Sequence, residues 1–425
     1  MLDIKFIREN KDLIADASKK KFLAFDVEEL LKTDDFRREK LLSIEKKRTL
    51  QNSFNDKITK AETPEERQKL IDEMRILKSD LNKEEEELKA LVKKWQMLMV
   101  AVPNIPDMSV PVGATDAENL EVKTWGEIPK FDFTPKNHVE LMESLDMVDL
   151  HRGTKVAGFR GYFLKNDGAL LNFAIWQFVI DQFREKADFI PMIVPSIVTR
   201  QTLLGSGYLP QGEEDLYKTQ DDTFLAGTSE VATMSYHADE VLDKKDLPKK
   251  FFSFSPAFRR EAGSHGKDTK GIFRVHEFYK FEQVVLCEAS HSESVKHHEA
   301  LLENVEVLMQ KLAIPYHVVL NCSGDLGLGQ VKKYDVEAWV PSEQKYRETH
   351  SCSYFHDFQT RRLNIRYKDE EGKMRFAHSL NNTAVASPRI LVSILENNQQ
   401  ADGSIRIPDA LQKYIGKEFI SAVKK

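Results

Sequence analysis

The sequence has few cysteines, no long apolar run and no excess of basic residues. Its three cysteines, Cys287, Cys322 and Cys352, lie far apart, which argues against a disulfide framework and predicts a reducing compartment. No apolar stretch approaches the roughly 18 residues of a membrane span, and the first residues, MLDIKFIREN, are too charged for a secretion signal. These absences predict a cytoplasmic protein with no membrane partner.

The net charge of −6 is spread unevenly along the chain. Residues 1–100 contain 23 Lys and Arg against 22 Asp and Glu, so the acidic surplus lies in the remainder. Neither part is the strongly basic body that is typical of nucleic-acid-binding proteins. Contact with a nucleic acid must therefore come from local basic patches, such as residues 19–21 (KKK) and 46–48 (KKR).

Glycine is absent from residues 27–100, where Lys, Glu and Leu dominate. Mainly apolar positions between residues 70 and 98 are spaced alternately by four and three, the heptad pattern of a coiled coil. The segment AETPEER supplies a helix start, with Thr63 as N-cap, Pro64 at the first helical position and Glu66 closing a capping box. The short connection at 59–63 favours an antiparallel two-helix hairpin within one chain, and a zipper between chains is the alternative.

The pattern of apolar residues changes after a proline-rich linker at residues 102–113. Runs typical of strands mix with helical segments at about 169–186, 290–313 and 388–397. Hairpin-joined strands with helices apart from them predict an antiparallel sheet of the α+β class. We therefore predict an N-terminal domain at 1–105, carrying the helical hairpin at about 27–100, and a larger domain at 106–425.

The stretch FRREAGSHGKDTKGIFRVHEFYKFEQ at 258–283 predicts two antiparallel strands joined by a long loop. Odd positions of the second strand form a largely apolar face for a core, namely Phe273, Val275, Tyr279 and Phe281. Arg259 and Glu261 share the opposite face with the even positions Arg274, His276, Phe278, Lys280 and Glu282. Guanidinium suits phosphate, an aromatic ring suits a base and a carboxylate suits an ammonium group. This face predicts an aminoacyl-adenylate site, with a face of cross-strand ion pairs as the alternative.

Two other segments hold candidate ligands. In GTSEVATM, Thr228, Ser229 and Glu230 stand at a predicted helix start, where capping alone would explain a Thr or Ser. In RETHSCSYFH, Glu348 and Ser351 offer the hard oxygen ligands that Mg²⁺ accepts. Their opposite parity requires a bulge or a metal-bound water if both face one ion.

The histidines near Ser351 raise the question of zinc. His350, Cys352 and His356 lie close in sequence, but they offer one thiol and no Cys-x-x-Cys pair, which argues against zinc.

The segment NNTAVASPRIL predicts a strand followed by a buried helix. Ser387 would be the N-cap and Pro388 the first helical residue, which places Arg389 where the helix dipole disfavours a cation. A phosphate bound beside Arg389 would resolve this conflict.

In this order, these segments resemble the class II aminoacyl-tRNA synthetases, and most closely the bacterial-type seryl-tRNA synthetase family. FIPMIVPSIV, with Pro195, resembles the dimer-forming first motif, FRRE with RVHEFYKFEQ the second, and NNTAVASPRIL one form of the third. The stretches that narrow the resemblance to serine are MLDIKFIREN, YLPQGEEDLY, GTSE, SCSYFHDFQTRR and ILENNQQADGSIRIP. Asp188 stands where a glycine is usual, and Tyr354 where the family often has Asn.

The resemblance implies a homodimer that activates L-serine with ATP and Mg²⁺, without zinc. The seryl group would pass to the 3′ end of tRNA(Ser), with tRNA(Sec) as a second candidate, and domain 1–105 would bind the tRNA. The implied catalytic residues are Arg259, Glu348 and Arg389, and the implied Mg²⁺ ligands are Glu348 and Ser351. The implied serine-binding residues are Thr228, Ser229, Glu230, Arg259, Glu282 and Thr383. The implied ATP-binding residues are Arg259, Arg260, Glu261, Arg274, Val275, Phe278, Glu348, Thr349, His350, Ser351 and Arg389.

Two other functions remain as alternatives. A synthetase-like ligase could activate serine and load a carrier protein, but such relatives generally lack the helical hairpin and use zinc ligands. A non-catalytic coiled-coil interaction protein could retain a dead synthetase fold, although the retained arginines and glutamates argue against it.

Overall fold

The computed structural model describes residues 2–263, 266 and 268–421. By internal contacts the chain divides into two compact units, one of residues 2–19 and 23–103 and the other of residues 20–22 and 104 onward. No helix among the described residues is long and apolar enough to cross a membrane.

The described α-helices are numbered here in chain order. They are α1 (Ile4–Glu9), α2 (Lys11–Lys20), α3 (Val27–Lys60), α4 (Pro64–Ala101), α5 (His138–Ser144), α6 (Leu150–Ala157), α7 (Asp167–Arg184), α8 (Arg200–Ser206), α9 (Glu230–Met234), α10 (His291–Lys311), α11 (Phe358–Arg362), α12 (Arg389–Asn397) and α13 (Asp409–Ile415).

The described strands are numbered in the same way. They are β1 (Leu120–Trp125), β2 (Val148–Asp149), β3 (Phe163–Leu164), β4 (Phe189–Ile193), β5 (Ile197–Val198), β6 (Tyr217–Lys218), β7 (Phe224–Leu225), β8 (Val241–Leu242), β9 (Lys249–Phe258), β10 (Glu277–Cys287), β11 (Tyr316–Leu320), β12 (Lys332–Val340), β13 (Lys345–His356), β14 (Arg366–Lys368), β15 (Met374–Phe376), β16 (His378–Ser387), β17 (Ile405–Arg406) and β18 (Phe419–Ile420).

Helices α3 and α4 form the predicted hairpin, which we call the arm. Thr63 is the N-cap of α4 and accepts a hydrogen bond from the Glu66 amide at 3.2 Å. Ion pairs between the helices join Lys94 to Glu29, Lys40 to Glu87 and Arg48 to Glu85, which fixes an antiparallel pairing. Each predicted seam position of α4 is at least half-buried. The helices therefore pair within one chain, as the short connection predicts.

One lysine of the candidate basic patch at residues 19–21 is not available to a nucleic acid. Lys21 is only 3% exposed, and its ammonium donates to the backbone carbonyls of Gly327, Leu328 and Gln330 at 2.7–3.0 Å. Burial lowers the pKa of Lys21 to about 7. The prediction that all of residues 19–21 form a free patch is therefore wrong for Lys21.

The larger unit is built on an eight-stranded sheet in the order β1-β11-β12-β13-β16-β10-β9-β4. Every pairing in it is antiparallel except that of β4 with β9 at one edge. The predicted α+β class is confirmed. The helices expected at about 169–186, 290–313 and 388–397 are α7, α10 and α12.

Alternation along the central strands separates a core face from an open face. On β10 and β16, Gln283 and Asn382 both reach the Leu301 carbonyl of α10, so this helix covers the core face. Glu282 and Thr383 are register partners on the opposite face of these two strands. The open face is therefore assembled from side chains that alternate with core residues.

Three local expectations need correction. Strand β10 begins at Glu277, so the predicted alternation does not extend back to Phe273 and Val275. These two residues belong to the core and also line the open face. Strand β9 ends at Phe258, and Glu261 lies beyond it with a φ of +55°, so Arg259 and Glu261 are not strand neighbours. Helix α12 starts at Arg389 with Pro388 as its N-cap, one residue later than predicted.

Candidate active site

The open face of the sheet forms the floor of a cavity of about 360 Å³. Strands β10, β13 and β16 supply most of the floor, and residues 327–330 and the start of α12 complete the wall. The predicted site residues that line it are Glu230, Arg259, Glu261, Arg274, Val275, Phe278, Glu282, Glu348, Thr349, Ser351, Thr383 and Arg389.

One end of the cavity, which we call the acidic end, contains Glu230, Lys280, Glu282 and Thr383. The Lys280 ammonium lies 2.7 Å from Glu282 Oε2 and donates to Thr228 Oγ1 at 3.2 Å. Glu282 is only 1% exposed. Burial, together with the nearby charge of Glu230, raises the pKa of Glu282 to about 7 even though Lys280 acts against this shift.

Glu230 is held at the acidic end by neutral partners. Its two carboxylate oxygens accept hydrogen bonds from Tyr208 Oη at 3.1 Å and from Gln359 Nε2 at 2.9 Å. Burial raises the pKa of Glu230, and the charge of Lys280 partly offsets this rise. Helix α9 begins at Glu230, so the helix start predicted for the GTSE segment is confirmed, and its first residue is a buried acid.

Arg259 and Phe278 form the middle of the cavity. The Arg259 guanidinium lies over the Phe278 ring, 5.3 Å from its centroid, and its Nε donates to the Gly227 carbonyl at 3.2 Å. A flat aromatic ring next to a guanidinium can hold a base beside a phosphate.

The other end, which we call the cationic end, is lined by Arg274 and Arg389, whereas Arg347, which is paired with Asp268 and Glu343, is not part of the lining. Arg347 and Arg389 lie over the Phe273 ring, at 3.9 and 4.9 Å from its centroid. Arg274 donates to Glu261 Oε2 at 2.5 Å. Arg274 and Arg389 suit an oligophosphate, because guanidinium pairs well with phosphate oxygens.

Glu348 and Ser351 meet at the cavity because strand β13 contains a bulge. The register between β12 and β13 shifts so that Val336 pairs with His350 while Glu337 pairs with Glu348. The extra residue reverses the parity of Glu348, and both Glu348 and Ser351 line the cavity. Of the two alternatives that the sequence pattern left, a bulge or a metal-bound water, the bulge is present.

The charge state of Glu348 is controlled by its cationic neighbours. Arg389 donates to Glu348 Oε2 at 3.2 Å, and the Glu348 side chain is still 45% exposed because it faces the cavity. Burial opposes ionisation, but the charges of Arg389, Lys333 and Arg259 outweigh it and lower the pKa of Glu348. An ionised carboxylate is therefore ready to accept a cation.

Four predicted residues do not line the cavity. Arg260 points away, because its Nη1 donates to the Glu214 carbonyl at 3.3 Å. His350 is buried against Thr349, whose Oγ1 lies 2.8 Å from His350 Nδ1. Thr228 is fully buried and contacts Lys280, while Ser229 donates to the Ser253 carbonyl.

The loop of the predicted hairpin includes Ser264, His265 and Lys267, which lie outside the described residues. His276, predicted on the cavity face, contacts the Arg259 carbonyl at 2.9 Å and lines a second, more apolar cavity.

Sequence reasoning missed several residues of the cavity. Tyr208 and Gln359 come from distant segments to hold Glu230, and of these two Tyr208 lines the cavity. Lys280 was placed on the correct face, at an even position, without a function. Only its position in the alternating pattern could have identified it.

Within the described residues, no group of three or more His, Cys, Asp and Glu side chains is arranged to hold a metal ion. Glu348 and Ser351 fit a cation that takes its other ligands from phosphates and water, because both present hard oxygen atoms to the cavity.

Comparisons with known proteins identify the family and the fold. The model of the seryl-tRNA synthetase N-terminal domain matches residues 1–106, and that of the tRNA synthetase class II core domain (G, H, P, S and T) matches residues 215–398. A serine–tRNA ligase of Deinococcus radiodurans is 48% identical over 417 residues, 98% of this chain and 98% of that protein. The structure of the Pyrococcus horikoshii seryl-tRNA synthetase complexed with ATP matches with a TM-score of 0.89 at 40% identity and covers 100% of both chains. The cytoplasmic serine-tRNA ligase of Naegleria fowleri, in complex with AMP, matches with a TM-score of 0.85 at 32% identity over 100% of this chain and 99% of that one.

These full-length similarities confirm the predicted family and the class II core, and the chain belongs to the seryl-tRNA synthetase family.

Proposed function

We propose that this chain is an ATP-dependent serine–tRNA ligase that acts in translation in the cytoplasm. The observation that carries the proposal is a single cavity with an acidic end, a guanidinium over an aromatic ring in its middle, and a cationic end. An amino acid, an adenosine with its α-phosphate, and the β- and γ-phosphates need these three environments. Membership of the family and the relatives solved with ATP and AMP support the same assignment.

Serine would bind at the acidic end. Glu282 accepts hydrogen bonds from the substrate ammonium, and Thr383, its cross-strand partner, faces the substrate hydroxyl. The serine carboxylate then points to Arg259 and attacks the α-phosphorus of ATP. The new oxygen–phosphorus bond forms as the bond to the bridging oxygen of the β-phosphate breaks, and pyrophosphate leaves.

ATP would lie along the middle and cationic end. Phe278 stacks on the adenine, Glu261 accepts from its amino group, and Arg274 and Arg389 hold the β- and γ-phosphates. Arg259 stabilises the charge that develops on the α-phosphate during attack. No side chain needs to act as a nucleophile, since positioning and charge stabilisation supply the catalysis.

Glu348 and Ser351 would hold Mg²⁺, which neutralises phosphate charge when it is bound. The Arg389–Glu348 pair would adjust at this step, because the carboxylate exchanges one cationic partner for another.

The second half-reaction would transfer the seryl group to tRNA. A 3′-terminal ribose hydroxyl attacks the carbonyl carbon of seryl-adenylate, loses its proton and displaces AMP. We assign the arm and the rest of domain 1–105 to tRNA binding. Incubation with labelled serine, ATP and tRNA(Ser) should give labelled tRNA, and tRNA(Sec) is the second acceptor to test. Labelling of a carrier protein but of neither tRNA would contradict the proposal.

We also propose a homodimer formed through the region around Pro195. Strand β4 is an edge of the sheet, yet Ile190 is 50% and Ile193 88% exposed, and Phe173 on α7 is 57% exposed. An exposed apolar edge strand in a soluble enzyme is usually covered by a partner. A second copy of this chain is the partner that the family resemblance implies.

The double variant Ile193→Asp and Phe173→Asp should be monomeric at micromolar concentration in light scattering. Carboxylates buried in an interface without partners cost several kcal/mol each, which is enough to separate a dimer. Ile76→Asp on the arm, where Ile76 is 65% exposed, is the matched control and should leave the mass unchanged. A double variant that keeps the mass of a dimer would place the interface elsewhere.

Thr383→Val should weaken serine activation and narrow the preference for serine over alanine. A site built to hydrogen-bond a substrate hydroxyl can reject the analogue without it by roughly 10⁴–10⁵. We expect kcat/KM for serine in ATP–pyrophosphate exchange to fall at least about a hundredfold while that for alanine changes little. Thr219→Val, at a hydroxyl paired with Thr223, serves as control. Unchanged selectivity would assign the hydroxyl to another residue.

A further inference from the structure

A buried lysine lies between the two carboxylates of the acidic end. Lys280 is 8%, Glu282 1% and Glu230 5% exposed, so all three groups are removed from bulk water. The Lys280 ammonium lies 2.7 Å from Glu282 and donates to Thr228, and its charge also acts on Glu230. Burial of the Lys280 ammonium costs a large desolvation free energy. A side chain that only filled space at this position would not have to be charged.

The two carboxylates differ in the acceptor capacity that they keep. Both oxygens of Glu230 are taken by Tyr208 and Gln359. Glu282 Oε2 lies close to Lys280 but accepts no hydrogen bond of regular geometry from the described residues. Glu282 is therefore the carboxylate that can accept hydrogen bonds from an incoming ammonium group.

We propose that Lys280 sets the charge of the serine site. It cancels one of the two buried carboxylate charges, so that the acidic end presents one net negative charge to the substrate ammonium, and it favours the ionised form of Glu282 before serine arrives. This inference rests on the proposed binding of serine at Glu282.

The charges on the surrounding elements support this balance. The charged groups that face Glu282 are Glu230 from α9, Lys280 from the same strand and Arg259 after β9, while Tyr208, Gln359 and Thr383 are neutral. The acidic end thus carries −1, and Arg259 carries +1 where the substrate carboxylate would lie. The ammonium and carboxylate groups of a zwitterionic amino acid match these two charges. Without Lys280 the acidic end would carry −2, and one of its carboxylates would take up a proton.

The consequence of removing Lys280 is a change in pH dependence. Burial and Glu230 already raise the pKa of Glu282 to about 7 with Lys280 present. A group with a raised pKa loses its negative charge as the pH falls through that pKa, so serine binding should weaken on the acid side. Loss of the neighbouring cation raises the pKa of Glu282 further. The acid limb of the pH profile of kcat/KM for serine should therefore move to higher pH.

The test compares Lys280→Met with Lys280→Arg, which keeps the charge. We would measure kcat/KM for serine and KM for ATP in ATP–pyrophosphate exchange from pH 6 to 9. For Lys280→Met we expect the acid limb to move up by at least about one pH unit, since an adjacent opposite charge shifts a carboxyl pKa by 1–3. KM for serine at pH 7 should rise at least about tenfold, KM for ATP should change less than about threefold, and Lys280→Arg should keep the wild-type limb.

A double variant makes the charge argument independent of packing. Adding Glu230→Gln to Lys280→Met leaves Glu282 as the single charge, so the acid limb should return toward the wild-type position. If Lys280→Met does not fold, Lys280→Gln, which keeps a donor for Thr228, takes its place in both comparisons.

A uniform loss of activity at every pH, with no shift of the limb and no rescue by Glu230→Gln, would mean that Lys280 has only a packing role and would overturn the inference. Wild-type protein that exchanges pyrophosphate with an amino acid other than serine would overturn the proposed function instead. The two failures are therefore distinguishable.

Discussion

Arg259→Ala is expected to lower kcat for serine-dependent ATP–pyrophosphate exchange by roughly 10²–10³, the loss typical of one preorganised charge-stabilising donor. Arg259 lies over Phe278 in the middle of the cavity, between the acidic and cationic ends. It is the cationic group placed where a serine carboxylate and an α-phosphate would meet. Its removal leaves the charge of the transition state without its partner.

The control for this prediction is Arg200→Ala. Arg200 is an exposed arginine paired with Glu213 outside the cavity, and its loss should change the exchange rate less than about twofold, because surface ion pairs contribute little. Exchange at a near wild-type rate in Arg259→Ala would remove this residue from the mechanism.

Deletion of residues 30–98, with a short linker across the gap, should separate the two half-reactions. Every residue assigned to serine and ATP lies outside the arm, so serine-dependent exchange should stay within about threefold of wild type while tRNA charging falls by at least about a hundredfold. In filter binding, the affinity of the intact protein for tRNA(Ser) should fall as the salt concentration rises. The slope should correspond to the few phosphates that the arm's local basic patches neutralise.

The matched control for the deletion is a charge reversal on the intact arm. Lys46 is exposed, whereas Lys47 and Arg48 are paired with Glu84 and Glu85, so Lys46→Glu tests the cation of the patch that has no ion pair among the described residues. It should weaken tRNA charging more than serine activation. Normal tRNA charging by the truncated protein would exclude the arm from tRNA binding. A truncated protein that is monomeric and has also lost serine activation would favour a coiled-coil zipper between chains.

Local patterns predicted those parts of the fold that depend on nearest neighbours. The heptad spacing identified the seam of α4 because coiled-coil packing repeats along one helix, and Thr63 was identified as N-cap because its partner is three residues away. The opposite parity of Glu348 and Ser351 predicted a bulge or a metal-bound water, and the structure has the bulge.

Contacts between distant segments could not be predicted in the same way. Lys21 looked like part of a basic patch, but carbonyls some 300 residues later enclose its ammonium. Arg260 matched a family motif, yet the carbonyl of Glu214 draws its side chain out of the cavity. His276 broke the alternation because β10 starts one residue after it. Each error arises where a long-range hydrogen bond or the end of a strand overrides a local period.

The family assignment and the site geometry meet in one claim, that the cavity activates serine. The most direct test is ATP–pyrophosphate exchange by the purified protein with each of the twenty amino acids in turn, with and without Mg²⁺. We predict exchange with serine alone, at least about 10⁴-fold above alanine, and its loss on removal of Mg²⁺. Exchange that is absent with serine, or faster with another amino acid, would contradict the account.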